Sequence, residues 1–160
     1  MTNQEFIQIM LIQETQKLLD AKFYNTAFFM AIQGIETLGA FMDKKPFAAK
    51  AQSKKRFHLA IRELFSKNYH SLANNGWLYN QLRCNSVHLS NTGGFVILTL
   101  RAEKKGPHLQ EILGKRLFVI EDFILDFHNA SNRLNASNRL IEFLEKGDVK
   151  QKIMAYNKQL

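Results

Sequence analysis

The apolar positions in the first part of the chain recur at helical spacing. In residues 3–20 they return every three or four positions, which predicts an amphipathic helix capped by Thr2 or Asn3. Residues 24–42 are apolar on nearly every side, and this pattern is typical of the central helix of a bundle. Glu36 is the only charge in that segment, so its carboxylate requires a cation or several hydrogen-bond donors.

Further helices are predicted downstream. Pro46 ends the central helix, and an amphipathic pattern predicts a third helix from Ser53 to Ser66. The segment from Trp77 to Leu89 follows a turn-and-cap signal and predicts a fourth helix. The last helix is predicted from Glu121 to Lys146, with Gly147 as its stop.

The last predicted helix contains a tandem copy. Asn129 to Leu134 is repeated as Asn135 to Leu140. Six residues turn an α-helix by about 240°, so the two copies face different ways. Two copies do not make a solenoid.

A short β element is predicted before the last helix. Phe95 to Leu100 is apolar and partly β-branched, which predicts a strand, and Leu117 to Val119 is the predicted return strand of a hairpin. The fold is therefore expected to be mainly α, a four- or five-helix bundle with a small β-hairpin inserted before the last helix. No linker divides it, so we expect a single domain at residues 1–147 and a basic C-terminal tail at 148–160.

The composition is that of a globular protein with excess positive charge. Hydrophobic residues make up 46% of the chain and charged residues 22%, which excludes a wholly disordered protein. The net charge of +8 favours a polyanionic partner such as RNA, DNA or an anionic membrane surface. The alternative is a soluble protein with a lysine-rich surface.

Several features predict a cytoplasmic protein. Cys84 is the single cysteine and cannot form an internal disulfide, which fits a reducing compartment. The N-terminus lacks the basic region of a secretory signal. Asn25, Gln33 and Glu36 interrupt the most apolar helix, so we expect no membrane association.

The third predicted helix carries a basic face. Its cations could contact a nucleic-acid backbone, although a solvated charged face is the alternative. The residues predicted to bind nucleic acid are Lys54, Lys55, Arg56 and Arg62.

The sequence offers no motif for a metal or cofactor. It contains no glycine-rich phosphate loop, no zinc-ligand spacing and no serine-nucleophile motif. His58 and His70 have no cysteine or carboxylate at ligand spacing, so neither is expected to bind metal. Cys84 is expected to be a small apolar residue rather than a nucleophile. We therefore predict no metal and no cofactor.

Arg83 and His88 are the predicted catalytic pair. A guanidinium can grip a phosphate with two parallel hydrogen bonds, and an imidazole can exchange a proton near neutral pH. These two groups suffice to cleave a phosphodiester without a metal. Arg101 and His108 match the same spacing, but they flank a turn instead of ending a helix.

Helical geometry leaves a structural alternative open. Residues five apart on an α-helix point about 140° away from each other, so Arg83 and His88 converge only if the helix unwinds or two protomers combine their sites. Otherwise Arg83 pairs with an acid, and Glu36 is the first partner we expect, while His88 caps the helix C-terminus.

The order of these elements resembles the HEPN superfamily over roughly residues 5–146. The motif-grade match is Arg83 to His88, which fits the Arg-x(4–6)-His pattern of that superfamily. The resemblance implies a helical bundle that forms a homodimer and joins its two motifs. It also implies a metal-independent endoribonuclease of toxin–antitoxin, anti-phage or RNA-processing systems, with RNA as substrate and an antitoxin or other regulatory protein as partner.

The resemblance also implies roles for the pair and a non-catalytic alternative. Arg83 would polarise the scissile phosphate, and His88 would act as acid or base while the 2′-hydroxyl attacks, leaving a 2′,3′-cyclic phosphate. Cys84 stands where active members usually carry Asn or Asp, and Asn85 follows one position later. Asn85 is therefore a predicted auxiliary residue. Glu36, the expected partner of Arg83, is the other predicted auxiliary residue. The departure leaves open a second hypothesis, a HEPN-like module that binds nucleic acid or protein without cleavage, and an unrelated bundle is a third hypothesis.

Overall fold

The computed structural model describes residues 1–84 and 94–137 and is mainly helical. Helix α1 covers residues 3–20 and consists of Asn3–Phe6, a π-helical stretch Ile7–Gln13 and Glu14–Asp20. The remaining α-helices are α2 (Tyr24–Met42), α3 (Ser53–Leu64), α4 (Lys67–Ala73) and α5 (Ile120–Asn135). A 3₁₀ turn, Asn74–Gly76, and a π-helical segment, Tyr79–Cys84, lie between α4 and the sheet.

Helix α2 is the centre of the bundle, as its apolar pattern predicts. It packs against α1, α3 and α5, and ten of its 19 residues are buried. Two glycines allow this close packing. A Cβ on Gly39 would lie 2.0 Å from the backbone oxygen of Arg56 in α3, and one on Gly34 would lie 2.4 Å from the Phe127 ring in α5. The core is therefore organised around one helix with neighbours on several sides.

The N-terminus of α1 is capped as predicted. The Thr2 hydroxyl accepts the backbone N–H of Glu5, and the Glu5 carboxylate accepts the backbone N–H of Thr2, which forms a capping box. Further along, the buried Thr15 hydroxyl lies 2.7 Å from Nε2 of His128, so α1 and α5 share a polar contact inside the core.

The small β element lies before α5, but its pairing differs from the prediction. The strands are β1 (Val96–Thr99), β2 (Glu111–Ile112) and β3 (Lys115–Val119), in the order β1-β3-β2. The hairpin is formed by β2 and β3 around Leu113 and Gly114, whereas β1 runs parallel to β3. A parallel pair needs a long crossover, which residues 100–114 supply.

The last helix is shorter than predicted. It begins at Ile120 and ends at Asn135, so it contains the first copy of the tandem repeat and ends as the second copy begins. Ser137 donates both its backbone N–H and its hydroxyl to the Leu134 carbonyl, which favours a turn over another helical turn. The rest of the predicted helix, residues 138–146, and the tail at 148–160 lie outside the described residues.

Within the described ranges, none of the helices combines the length and the apolar character that crossing a membrane requires.

Candidate functional site

The segment after the 3₁₀ turn positions Arg83 against the centre of the bundle. Leu78 and Leu82 are fully buried and anchor the segment against the core. Arg83 follows directly and is about one-fifth exposed at its side chain (20%). Its Nε donates a 2.9 Å hydrogen bond to Oε2 of Glu36, so the expected ion pair is present. The expected pairing of Arg83 with Glu36 is therefore confirmed.

Glu36 is fully engaged within the fold. Its second oxygen, Oε1, accepts a 2.8 Å hydrogen bond from the Ser53 hydroxyl in the first turn of α3. Both carboxylate oxygens thus hold partners on other elements. Glu36 has the contacts of a positioning residue for Arg83, and not those of a proton acceptor open to a substrate.

The Glu36 bond leaves one edge of the Arg83 guanidinium available. Within the described part of the chain, Nη1 and Nη2 of Arg83 have no hydrogen-bond partner. A guanidinium that is fixed through Nε can still present its two Nη groups to a phosphate. The pairing with Glu36 is therefore compatible with anion binding.

Tyr79 and Cys84 adjoin this pair. Burial raises the pKa of the Tyr79 phenol, and the neighbouring Cys84 adds to that effect, partly through a side-chain hydrogen bond between them. The positive charge of Arg83 opposes the shift. Tyr79 therefore stays protonated at neutral pH and can serve as a hydrogen-bond donor.

The predicted residues His88 and Asn85 lie outside the described residues. The segment before them, Tyr79–Cys84, is π-helical, with backbone hydrogen bonds between residues five apart, so the chain reaches Arg83 in a winding other than that of an α-helix.

One of the four cations predicted on the basic face of α3 is buried. Arg56 is buried, with a side chain only 4% exposed, and its Nε donates 2.6 Å to Asp43. Its remaining donors bond the carbonyls of Lys45, Pro46 and Phe47. The prediction that Arg56 binds nucleic acid is wrong, because helical spacing turns this side chain into the loop after α2.

The other three cations of the predicted face are exposed. Lys54 and Lys55 lie in the first turn of α3, and the Arg62 side chain is 70% exposed beside Glu63. Residues 54 and 62 are eight apart, so they share one side of the helix. A basic surface is thus present on α3, with three of the four predicted side chains.

His58 is a titratable side chain beside Tyr79 that the sequence did not indicate as a site residue. Its ring centroid lies 6.3 Å from that of Tyr79, and its Nε2 is buried with no hydrogen-bond partner among the described residues. Burial lowers the pKa of His58, and the nearby Lys54 lowers it further. The only indication of its position in the sequence was the helical spacing of α3, which places Phe57 in the core and His58 next to it.

The competing pair, Arg101 and His108, has other functions in the fold. Arg101 forms an ion pair with Asp122 on the surface. His108 accepts the Val119 backbone N–H at Nδ1 (3.0 Å), and its Nε2 lies 2.8 Å from the Tyr69 hydroxyl. Neutral His108 therefore carries its proton on Nε2 and donates it to Tyr69.

Tyr69 completes a buried chain of hydrogen bonds. Its hydroxyl donates 2.8 Å to Asp126 of α5. Burial raises the pKa of Tyr69 well above its ordinary value, with the Asp126 charge as a further cause. These contacts tie the loop before β2 to α4 and α5, so His108 is a structural residue.

The described residues contain no group of three or more His, Cys, Asp or Glu side chains arranged to hold a metal ion. Comparisons of the chain with protein-family models, with curated proteins and with solved structures find no match.

Proposed function

We propose that the protein is a HEPN-like, metal-independent endoribonuclease whose reacting groups are Arg83 and His88. The observation that carries the proposal is the arrangement of Arg83, which Glu36 holds through Nε while both Nη groups have no partner among the described residues. Ser53 fixes Glu36 in turn. Such a supported cation is pre-organised for a phosphate, because its position is set before the substrate arrives.

The proposed reaction uses the 2′-hydroxyl of RNA as its nucleophile. One His88 imidazole removes the hydroxyl proton, and the 2′-oxygen forms a new bond to phosphorus. The bond from phosphorus to the 5′-oxygen of the next nucleotide breaks, and an imidazolium or water protonates that oxygen. Arg83 stabilises the negative charge on the non-bridging oxygens. The products are a 2′,3′-cyclic phosphate and a 5′-hydroxyl.

A homodimer supplies the second imidazole that this reaction can use. A two-fold axis through the site would bring Arg83 and His88 of each protomer to one substrate. The exposed cations of α3 would attract the RNA backbone through long-range electrostatics. An antitoxin or other regulatory protein would then control access to a cytoplasmic enzyme.

The second candidate function is a non-catalytic HEPN-like module that binds nucleic acid or a partner protein. It is favoured by the Glu36 ion pair, which gives Arg83 a structural role without any reaction. It is also favoured by Cys84, which replaces the usual Asn or Asp of active members. This module would retain RNA or a partner and leave the RNA intact.

The test is incubation of purified protein with mixed RNA in EDTA. We expect cleavage by the wild-type protein and its loss in Arg83→Ala and His88→Ala, with an unchanged circular dichroism spectrum and only a small decrease in thermal midpoint where Arg83→Ala breaks the Glu36 ion pair. His70→Ala is the matched control, because the His70 ring contacts the Phe65 carbonyl (3.1 Å) and has no hydrogen bond to Arg83 or Glu36. RNA that is retained but uncut would favour the non-catalytic module. Neither retention nor cleavage, with destabilised Arg83 and His88 variants, would favour a purely structural pair.

A further inference from the structure

A groove runs between α4 and the β2–β3 hairpin, outside the proposed catalytic pair. It consists of two adjoining cavities of about 410 and 180 Å³, which share Ser71, Leu72 and Arg116 as lining residues. The larger cavity reaches the loop before β2 at His108, and the smaller one reaches Trp77. Trp77 begins the helical segment that carries Arg83, so the groove and Arg83 share one element.

Trp77 gives the groove an aromatic wall. Its indole is partly buried and packs against the core, while it also lines the smaller cavity. Gly114 of the hairpin lines the same cavity, and a Cβ added there would meet no atom within 4 Å. The space beside the hairpin tip is therefore open, next to the cavity that Trp77 lines.

Arg116 supplies the positive charge of the groove. Its Nη1 donates 2.8 Å to the Leu109 carbonyl, which fixes the guanidinium, and its Nη2 donates 2.9 Å to Glu111. The Glu111 side chain is 61% exposed, whereas that of Arg116 is 24% exposed. An exposed carboxylate is held weakly, so a phosphate can displace Glu111 from a guanidinium that stays in place.

The rest of the lining supplies neutral polar groups. Asn68 and Ser71 come from α4, and Gln110 comes from the opposite wall. Amides and hydroxyls both donate and accept hydrogen bonds, as the edges of nucleobases require. The groove thus combines an aromatic ring, a cation and amide groups, which is the set that single-stranded nucleic-acid sites use.

We propose that this groove binds one unpaired nucleotide of an RNA strand, with the base against Trp77 and a phosphate on Arg116. The inference rests on the proposed function for its ligand and extends it to the substrate, which is single-stranded at this position. A base inside a duplex is stacked on both faces and cannot stack on an indole, so paired RNA does not fill the groove.

The chain contains a single tryptophan, so its fluorescence reports directly on this groove. The experiment uses full-length His88→Ala protein in EDTA with a dye-labelled eight-nucleotide RNA, either single-stranded or annealed to its complement. Indole emission reports occupancy of the groove, and dye anisotropy reports total binding. We expect saturable quenching with the single strand and none with the duplex.

Matched variants separate the groove from the general positive charge. Arg116→Ala is expected to weaken single-strand binding about tenfold or more, since it removes a charge-assisted contact. Arg101→Ala removes an equal charge from a surface pair and is expected to leave binding unchanged. Glu111→Gln keeps Arg116 and is expected to tighten binding, so it tests the groove even if Arg116→Ala is poorly folded.

The outcomes separate this inference from the proposed function. A rise in anisotropy without quenching would overturn the groove site and leave the ribonuclease intact. Quenching by RNA that the wild-type protein never cleaves would support the groove and remove the ribonuclease. Equal quenching by the duplex, or weaker binding in Glu111→Gln, would overturn the proposed recognition of an unpaired nucleotide. The absence of both signals would overturn the groove site.

Discussion

Arg83 and Glu36 are the residues on which the proposed chemistry depends. Their pairing was predictable, because a lone carboxylate on a buried helix requires a cation. The bond from Ser53 to Glu36 was not predictable, because it depends on how α3 crosses α2. The same limit explains the error at Arg56, whose burial follows from the loop that folds over it.

Glu36→Gln tests whether Glu36 positions Arg83 for catalysis. The amide keeps the size of the side chain but loses the charge that holds Arg83 Nε. We expect the cleavage rate to fall about tenfold, because Arg83 loses its fixed position. We expect only a small change in the thermal midpoint. Initial rates and thermal midpoints would be measured together. Glu14→Gln, which loses an exposed pair with Lys17, is the control. A cleavage rate that falls only in proportion to the folded fraction of Glu36→Gln would contradict the proposal that Glu36 positions Arg83.

The stability of the fold is expected to fall in mild acid. Burial lowers the pKa of His108 and of His128 below the ordinary value of 6.5. The unfolded chain therefore binds these protons first, so stability is full above about pH 6.5 and is lost as pH falls through the folded-state pKa values. Protonated His108 can no longer accept the Val119 N–H.

Urea unfolding at pH 8, 7, 6 and 5 checks this pH dependence. We expect the free energy of unfolding to decrease from pH 7 to pH 5, and the decrease to be smaller in His108→Gln. A free energy of unfolding that is constant or rises over this interval would contradict the buried neutral state of the two histidines.

At the scale of elements, the long helices near the N-terminus were predicted well, whereas α4 and the pairing of the strands were not. The bounds of α1 and α2 follow from local periodicity and caps, and both agree with the structure. The π-helical winding and the parallel β1–β3 pair depend on tertiary packing, which periodicity does not encode. The end of α5 at Asn135 reflects local competition by Ser137 that the long apolar stripe concealed.

Gly39→Ala tests the crossing of α2 and α3. The added methyl group would overlap the Arg56 carbonyl at 2.0 Å, and backbone must move to relieve the clash. We expect a loss of about 1–3 kcal/mol in the free energy of unfolding, measured in urea. Gly94→Ala is the control, since a Cβ there meets no atom within 4 Å. Equal stability of the two variants would show that the helices separate easily.

At the scale of the whole molecule, the groove beside the hairpin combines segments that are distant in sequence. Residues 68–77 form one wall and residues 107–116 form the other. The net charge favoured a polyanionic partner, but only the fold brings Trp77 and Arg116 to one groove. The site around Arg83 is likewise assembled from α2, α3 and the π-helical segment.

Mixing inactive protomers tests the proposed homodimer. If Arg83 of one protomer acts with His88 of the other, a dimer of Arg83→Ala with His88→Ala contains one intact pair. Random re-association would make half the dimers mixed, each with one Arg83 and one His88 at the shared site, so we expect activity well above that of either variant alone and at most about half that of the wild type. Sedimentation velocity would verify the dimer. A dimer without restored activity would contradict a composite site.

The product ends of RNA cut in EDTA test the central claim most directly. We expect the wild-type protein to leave 2′,3′-cyclic phosphate and 5′-hydroxyl ends, and His88→Ala to leave the RNA intact. A single 2′-deoxy nucleotide at the cut position should also block cleavage there, because the nucleophile is missing. Cleavage that persists in His88→Ala, that leaves 3′-hydroxyl ends, or that ignores the 2′-deoxy substitution would contradict the proposed mechanism.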